Sequence, residues 1–254
     1  MYDIIIIGGG PSGASAGRKA GKLGMKTLLL EKEEFPRYKP CAGGLSDHAR
    51  SYLDFELPEN IIEWEVTGAK IIFKDQLIEA HKNHRVAALV SRNKFDNFLL
   101  EKAKETGIEV HTGEKALCCR EMPDCIEVDT RQGTYQAKFA IIAEGAQGIV
   151  KTCVRPTDNK NEYGICLVTE VPANEREIEE RLENPWKCIL GLLEADMAGF
   201  SLIKPIIPLE LVGLLRTSHI LKSPCLTSLR TMAFPESINF TGIKFPGEEL
   251  KEKW

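Results

Sequence analysis

The sequence predicts an α/β fold that opens with a βαβ module. Ile4 to Ile7 form an unbroken apolar run closed by glycine, the pattern of a strand buried on both faces of a parallel sheet. Gly8, Gly10 and Gly13 follow at G-x-G-x-x-G spacing. Lys26-Thr27-Leu28-Leu29-Leu30-Glu31 then reads as a second strand ending in an acid. Strand, glycine turn, helix and acid-tipped strand together describe a Rossmann-like dinucleotide-binding domain.

Each part has a physical reason. The glycines turn the chain tightly, let a pyrophosphate approach the backbone and let the next helix pack closely on the strand. Ser12 to Leu23 suits that helix, whose free N–H groups and positive dipole end face the phosphates. Gly24 suits its stop, and Gly17 and Gly21 continue a four-residue spacing on the face that meets the sheet. Glu31 lies near the distance at which a carboxylate binds a ribose hydroxyl. The alternative is a glycine-rich strand–helix turn without a ligand.

Composition bounds the function. At 254 residues, 43% hydrophobic and 28% charged, the chain reads as a soluble globular protein of one large or two modest domains. A net charge of -4 gives no basic field, which argues against nucleic acid as a partner. The eight cysteines include no C-x-x-C pair, and Cys118 and Cys119 are adjacent, so a reduced cytoplasmic set is expected. His48, His81, His84, His111 and His219 show no metal-ligand spacing. The N-terminus lacks a basic leader, and charges and prolines interrupt every apolar run before membrane-spanning length, leaving peripheral membrane contact open.

After Glu31, Phe35-Pro36-Arg37-Tyr38-Lys39-Pro40-Cys41-Ala42-Gly43-Gly44-Leu45-Ser46 argues for an irregular loop near a ligand, with Ser46 suited to cap a short helix reaching about Leu53. With the glycine pattern and Glu31, this P-R-Y-K-P-C-x-G-G-L-S stretch resembles the geranylgeranyl reductase family of flavoproteins. The resemblance implies a Rossmann-like FAD-binding domain with an antiparallel β-sheet substrate domain. It also implies FAD as cofactor and reduction of carbon–carbon double bonds in prenyl chains of lipids or chlorophyll precursors. Gly8, Gly10, Ser12, Gly13 and Glu31 would then hold FAD, while Cys41, Ala42 and Gly44 would lie beside the isoalloxazine. Cys41 is the candidate catalytic residue, with no assigned proton transfer; the alternative is a surface loop with a spare thiol.

Residues 61 to 73 carry an apolar, β-branched pattern broken by Gly68, suited to strands of the antiparallel layer. Val86 to Val90 is a short apolar run, and Asn93 to about Thr106 suits a helix with Phe95, Phe98, Leu99 and Ala103 on one face and Gly107 as its stop. The string S-R-x-x-F-D-x-F-L resembles the family segment whose arginine reaches FAD, so Arg92 is carried over as a cofactor contact; the alternative is an exposed arginine near a helix start. Ile108 to His111 reads as a strand, and the resemblance puts a backbone contact to the adenine side near Ala116. Ile126 to Thr130 and Thr134 to Ala140 suit a hairpin around Gln132-Gly133, followed by a separate strand from Ala140 to Ala143. Glu144-Gly145 stands where related flavoproteins have Asp-Gly and is carried over as a cofactor contact, the longer side chain leaving the role of Glu144 open.

Tyr163 to Val171 suits another strand, and Ala173 to Leu182 a charged, solvated helix. Beyond Pro185 the family's Y-x-W-x-F-P, I-P-x-G-G and second Gly-Asp segments are absent as written, and Ile203 to Leu215 shows neither helical nor strand period. Read one base earlier, codons for Asp196 to Leu202 permit Gly-Tyr-Gly-Trp-Phe-Phe-Pro, and those for Lys244 to Glu249 permit Ile-Pro-Gly-Gly-Gly. The expectation is a frameshift near Pro185-Trp186. The domains are then 1–155, FAD-binding with inserted strands at about 61–90; 156–185, the start of a substrate domain incomplete at its C-terminus; and 186–254, an aberrant, poorly ordered tail. The functional expectation is an FAD-dependent reductase of prenyl-lipid or isoprenoid substrates with an unassigned electron donor. A flavin-dependent monooxygenase or electron-transfer oxidoreductase shares the cofactor site, and the rival from another class is an inactive remnant holding FAD weakly.

Overall fold

The computed structural model describes residues 1–73 and 76–154, and the backbone of strands 164–171, 187–193, 197–204 and 207–216. The first elements are β1 (Tyr2–Ile7), α1 (Pro11–Lys22), β2 (Thr27–Leu30), β3 (Gly44–Ser46), α2 (Asp47–Arg50), β4 (Ile62–Val66), β5 (Gly68–Phe73), β6 (Gln76–His81) and β7 (Ala87–Val90). Next come α3 (Arg92–Lys104), β8 (Glu109–His111), β9 (Cys118–Glu121), β10 (Ile126–Asp129), β11 (Thr134–Ile142) and α4 (Lys151–Val154). The last are β12 (Gly164–Val171), β13 (Lys187–Leu193), β14 (Met197–Lys204) and β15 (Ile207–Arg216). The chain forms two compact units, one of Met1–Lys39 with Arg92–Asp158, the other of Pro40–Ser91 with the chain from Asn159 on.

The first unit is built on a six-stranded sheet in the order β8-β2-β1-β11-β10-β9. The first four strands are parallel, and β10 and β9 extend the sheet antiparallel. Ile5 and Ile6 of β1, on opposite faces, are both fully buried, as a central parallel strand requires. Each buried Ile or Leu side chain of this kind contributes about 1.5–3 kcal/mol. On one face, α1 brings Gly17 against Ile6, Leu29 and Ile108, the close helix–sheet approach that the spacing of small residues predicts. On the other, Ile5, Ile7, Leu28, Leu30, Ala116, Cys119, Val128 and Val150 share a core.

The structure corrects one boundary in this unit and adds one strand. The second hairpin arm and the strand after it are one element, β11, because Ala137 pairs with β10 on one side and β1 on the other. Cys118–Glu121 forms the added strand, whose alternation is hidden in the sequence by two exposed charged residues out of four.

The second unit contains a three-stranded antiparallel sheet, β3-β7-β4, and a six-stranded sheet in the order β12-β15-β14-β13-β5-β6. The larger sheet is antiparallel except where β13 runs parallel to β5. Ser46 caps α2 by accepting from the Ala49 N–H at 3.1 Å, although the helix stops at Arg50 rather than near Leu53. The stretch 203–215, without a clear period in the sequence, lies within β14 and β15 at its described residues. The charged segment expected as a helix at 173–182 and the tail beyond 216 lie outside the described residues. Among the described residues, no helix is long and apolar enough to cross a membrane.

Candidate functional site

The turn from β1 into α1 is held by backbone contacts that only glycine permits. Gly8 has φ +108° and lies against the Ala143 carbonyl, where a Cβ would collide with backbone. A Cβ on Gly13 would overlap the Gly8 carbonyl oxygen, so α1 sits on the turn as closely as a chain can. Gly10 precedes α1, no side chain caps the helix, and Pro11 occupies its first turn. The leading N–H groups of this twelve-residue helix therefore face outward with the positive dipole end. Ser12 is exposed in the same turn.

Glu31 follows β2 and is buried, turning back to the glycine loop. Its Oε2 accepts the Gly9 N–H at 2.6 Å and its Oε1 accepts the Glu33 N–H at 2.9 Å. Each carboxylate oxygen retains a second acceptor direction for a hydroxyl donor.

Arg37 completes this surface and was not singled out in the sequence. Its Nη2 lies 3.6 Å from the position a Gly10 Cβ would take. The same Nη2 pairs with Asp96 Oδ2 at 3.1 Å, and the guanidinium lies over the Phe35 ring at 4.8 Å. The Nη1 of the same guanidinium is buried without a hydrogen-bond partner, an orphaned donor. Arg92 holds the same Asp96 carboxylate, through Nε to Oδ1 at 2.6 Å and Nη2 to Oδ2 at 2.8 Å. Asp96 is fully buried and bound by both arginines. The i,i+4 spacing of Arg92 and Asp96 was the available signal; Asp96's long-range partner in a proline-rich loop was not.

An uncapped helix end with an orphaned guanidinium donor is suited to a phosphate, and the adjacent buried carboxylate to a sugar hydroxyl. These residues fit the pyrophosphate and ribose of a dinucleotide. The model for the FAD binding domain matches residues 1–210. The chain belongs to the FAD binding domain family. Its cofactor is FAD.

A digeranylgeranylglycerophospholipid reductase from Thermoplasma acidophilum is 34% identical over 122 residues, 46% of this chain and 31% of the relative. A flavin-dependent halogenase from Armillaria mellea is 29% identical over 59% of this chain and 33% of the relative. The solved structure of a geranylgeranyl bacteriochlorophyll reductase-like protein from Thermoplasma acidophilum shares the fold, with TM-score 0.72, 22% identity, and coverage of 91% of this chain and 60% of that one. The chain spans less than half the length of the curated relatives it matches.

The other sequence-derived residues divide between the units. In the first, the Glu144 Cα lies beside Gly8, but the carboxylate turns away and accepts the Lys151 N–H at 2.9 Å, capping the start of α4. Gly145 adopts φ +78°. Ala116 is buried in the core with Leu28 and Leu30. In the second unit, Cys41 is half-buried with its Sγ 3.4 Å from the Gly43 N–H. Ala42 packs on Val66 and Leu89, and Gly44 pairs with Leu89.

Away from the glycine loop, a polar network joins β1, β8 and β11. The His111 ring nitrogens face Glu114 at 2.7 Å and Glu109 at 2.8 Å, and the Tyr2 hydroxyl donates to Glu109 at 2.7 Å. Burial, then that hydrogen bond, pushes the Tyr2 phenol up to about 12. Burial pushes Glu114 up, but hydrogen bonds from Thr130, His111 and Tyr135 outweigh it and hold the carboxyl below its ordinary value. Among the described residues, no group of His, Cys, Asp and Glu has the arrangement of a metal site.

Proposed function

We propose that this chain is the FAD-binding portion of a flavin-dependent reductase that saturates carbon–carbon double bonds in prenyl chains of lipids or related isoprenoids. The observation that carries the reading is the Pro36 to Ser46 stretch, which sets Arg37 on the glycine loop and supplies Cys41 four residues later. The similarity to a protein named as a prenyl-lipid reductase supports the substrate class.

Gly8, Gly10, Ser12 and Gly13 would cradle the pyrophosphate, with the α1 N–H groups and the Arg37 Nη1 as donors. Glu31 would accept from the ribose. Asp96 orients Arg37 and is itself bound by Arg92, which would contact the cofactor from this cluster. The backbone at Ala116 would meet the adenine side, and Glu144 and Gly145 would border the cofactor next to Gly8. Cys41, Ala42 and Gly44 would flank the isoalloxazine, exclude water and orient the prenyl chain. Reduced FAD, when bound, supplies a hydride to one carbon of the double bond, and a proton completes the other. The electron donor is unassigned, and contact with a membrane surface is part of this reading because the substrate is a lipid.

A second reading, a flavin-dependent halogenase or monooxygenase, is favoured by the Armillaria relative. We further propose that the residues after Pro185 are read out of frame, which makes an inactive FAD-binding remnant the competing outcome for this polypeptide. The purified protein's flavin absorbance, followed by incubation with a prenyl lipid under reducing conditions, separates these. Bound flavin with loss of lipid double bonds supports the reductase. Bound flavin without turnover supports the remnant, halogenation of an aromatic substrate supports the second reading, and absence of flavin refutes all three.

A further inference from the structure

Two turns are fastened to each other where Glu31 meets the glycine loop. One follows β2 and carries Glu31; the other follows β8 and runs from His111 to Glu114. The Glu31 N–H donates to the His111 carbonyl at 2.8 Å, and the Glu31 carbonyl accepts the Glu114 N–H at 2.9 Å. The Gly113 N–H donates to the Glu33 carbonyl at 3.3 Å, and the Thr112 hydroxyl to Glu34 at 2.6 Å. Both backbone groups of Glu31 are therefore held by the segment that begins at His111 and ends at Glu114.

The side chains at the two ends of that segment close on each other. His111 Nδ1 lies 2.7 Å from Glu114 Oε2, and its Nε2 lies 2.8 Å from Glu109 Oε1. The other oxygen of each carboxylate already has a donor: the Tyr2 hydroxyl on Glu109 at 2.7 Å and the Thr130 hydroxyl on Glu114 at 2.6 Å. Both carboxyls are held below their ordinary value, so both are ionised where an imidazole titrates. An ionised carboxylate only accepts, and a neutral imidazole carries one N–H, so a ring that bonds both carboxylates carries both protons. The other titratable groups around the ring are Tyr135, whose hydroxyl is 3.4 Å from Nδ1, and Lys26, which lies over the Tyr2 ring at 5.2 Å.

We propose that His111, as an imidazolium bridging Glu109 and Glu114, is a positioning residue for FAD: it sets the 111–114 turn and, through that turn, the backbone from which Glu31 is aimed. The proposal rests on the reading of Glu31 as the acceptor for the ribose. When the ring loses its second proton, one carboxylate faces a nitrogen lone pair instead of an N–H, and the bridge opens at that end. The turn then restrains Glu31 less, and FAD binding weakens as pH rises through the titration of the imidazole.

The test is FAD titration of the full chain, followed by flavin fluorescence, across the range in which an imidazole gains and loses its second proton. Wild-type affinity should fall toward the alkaline side. His111→Gln, which cannot donate to both carboxylates, should bind about tenfold more weakly on the acid side, the scale on which loss of an orienting partner acts at a ligand site, and should lose the slope. His84→Gln, at an exposed position in the second unit, should keep both affinity and slope. In a Glu31→Ala background, His111→Gln should weaken binding no further, because its effect passes through Glu31. The wild-type profile needs no variant to fold: a flat profile from folded protein overturns the proposal, as does a slope that persists in His111→Gln or an undiminished effect of His111→Gln in the Glu31→Ala background. Weaker binding by Glu31→Ala beside unchanged binding by His111→Gln overturns this proposal alone, whereas unchanged binding by Glu31→Ala overturns the ribose reading and this proposal with it.

Discussion

In the first unit, Gly13 rests on the Gly8 carbonyl, Glu31 is tied to two backbone N–H groups, and Arg37 is fixed by a fully buried Asp96. In the second, the Cys41 thiol lies 3.4 Å from the Gly43 N–H in a half-buried loop. One set of candidate residues is held by close backbone packing and buried charge, the other by a loop and a short strand. Rigid placement suits a cofactor that remains bound; a less constrained loop suits a surface where substrate enters and leaves.

Substitutions in the two units should therefore fail differently. The largest effect is expected from Asp96→Ala, which leaves two partly buried arginines without their shared carboxylate and should cost about 3–5 kcal/mol. Thermal unfolding would record that loss, and flavin should be lost with it. Gly13→Ala forces a methyl into the Gly8 carbonyl and should cost about 3 kcal/mol, read as a drop in unfolding midpoint. Arg37→Met removes the orphaned donor while Arg92 still pairs Asp96, so FAD affinity should weaken roughly 10- to 100-fold, the equivalent of a charge-assisted hydrogen bond of about 1.5–3 kcal/mol. Its unfolding midpoint without FAD should move far less than that of Asp96→Ala.

The polar network adds a pH dependence confined to the first unit. Glu109, held down mainly by the Tyr2 hydroxyl, and Glu114 both have folded pKa values below their ordinary 4.5. The stability they add is complete above that value and is lost as pH falls below it. Tyr2 acts in the opposite sense: its contribution is complete below 10.0 and is lost as pH rises through about 12. Stability measured across pH should fall at both ends, and Tyr2→Phe should flatten the alkaline limb. The smallest effect on binding is expected from Cys41→Ser, a change of one atom in a half-buried loop, which should leave flavin bound. A loss of flavin in that variant would break the contrast between the units.

The β1–α1–β2 core was legible because burial on both faces, helical spacing and glycine punctuation all occur within one short stretch. β11 was misdivided at Ala140, where the apolar run Ala140 to Ala143 follows a mixed stretch, because its long-range pairing, with β10 up to Ala137 and with β1 from Ala137 on, leaves no local mark. Arg37 was hidden for another reason. An arginine between prolines has no periodic signature, and its placement depends on Asp96, which occupies the buried side of a helix far along the chain. Glu144 was readable as the end of a strand, but its turn toward Lys151 comes from local capping.

The frame proposed after Pro185 is settled by sequencing the coding DNA: codons unable to spell the two aromatic and glycine segments in the alternative frame would end that reading. The central claim, that the glycine turn and Arg37 form the FAD site, is tested most directly by titrating the purified chain with FAD and following flavin fluorescence. Saturable binding at one FAD per chain, weakened in Arg37→Met with the fold intact, is the predicted result. Equal affinity of the wild-type and Arg37→Met proteins, or no saturable binding by folded wild-type protein, would contradict it.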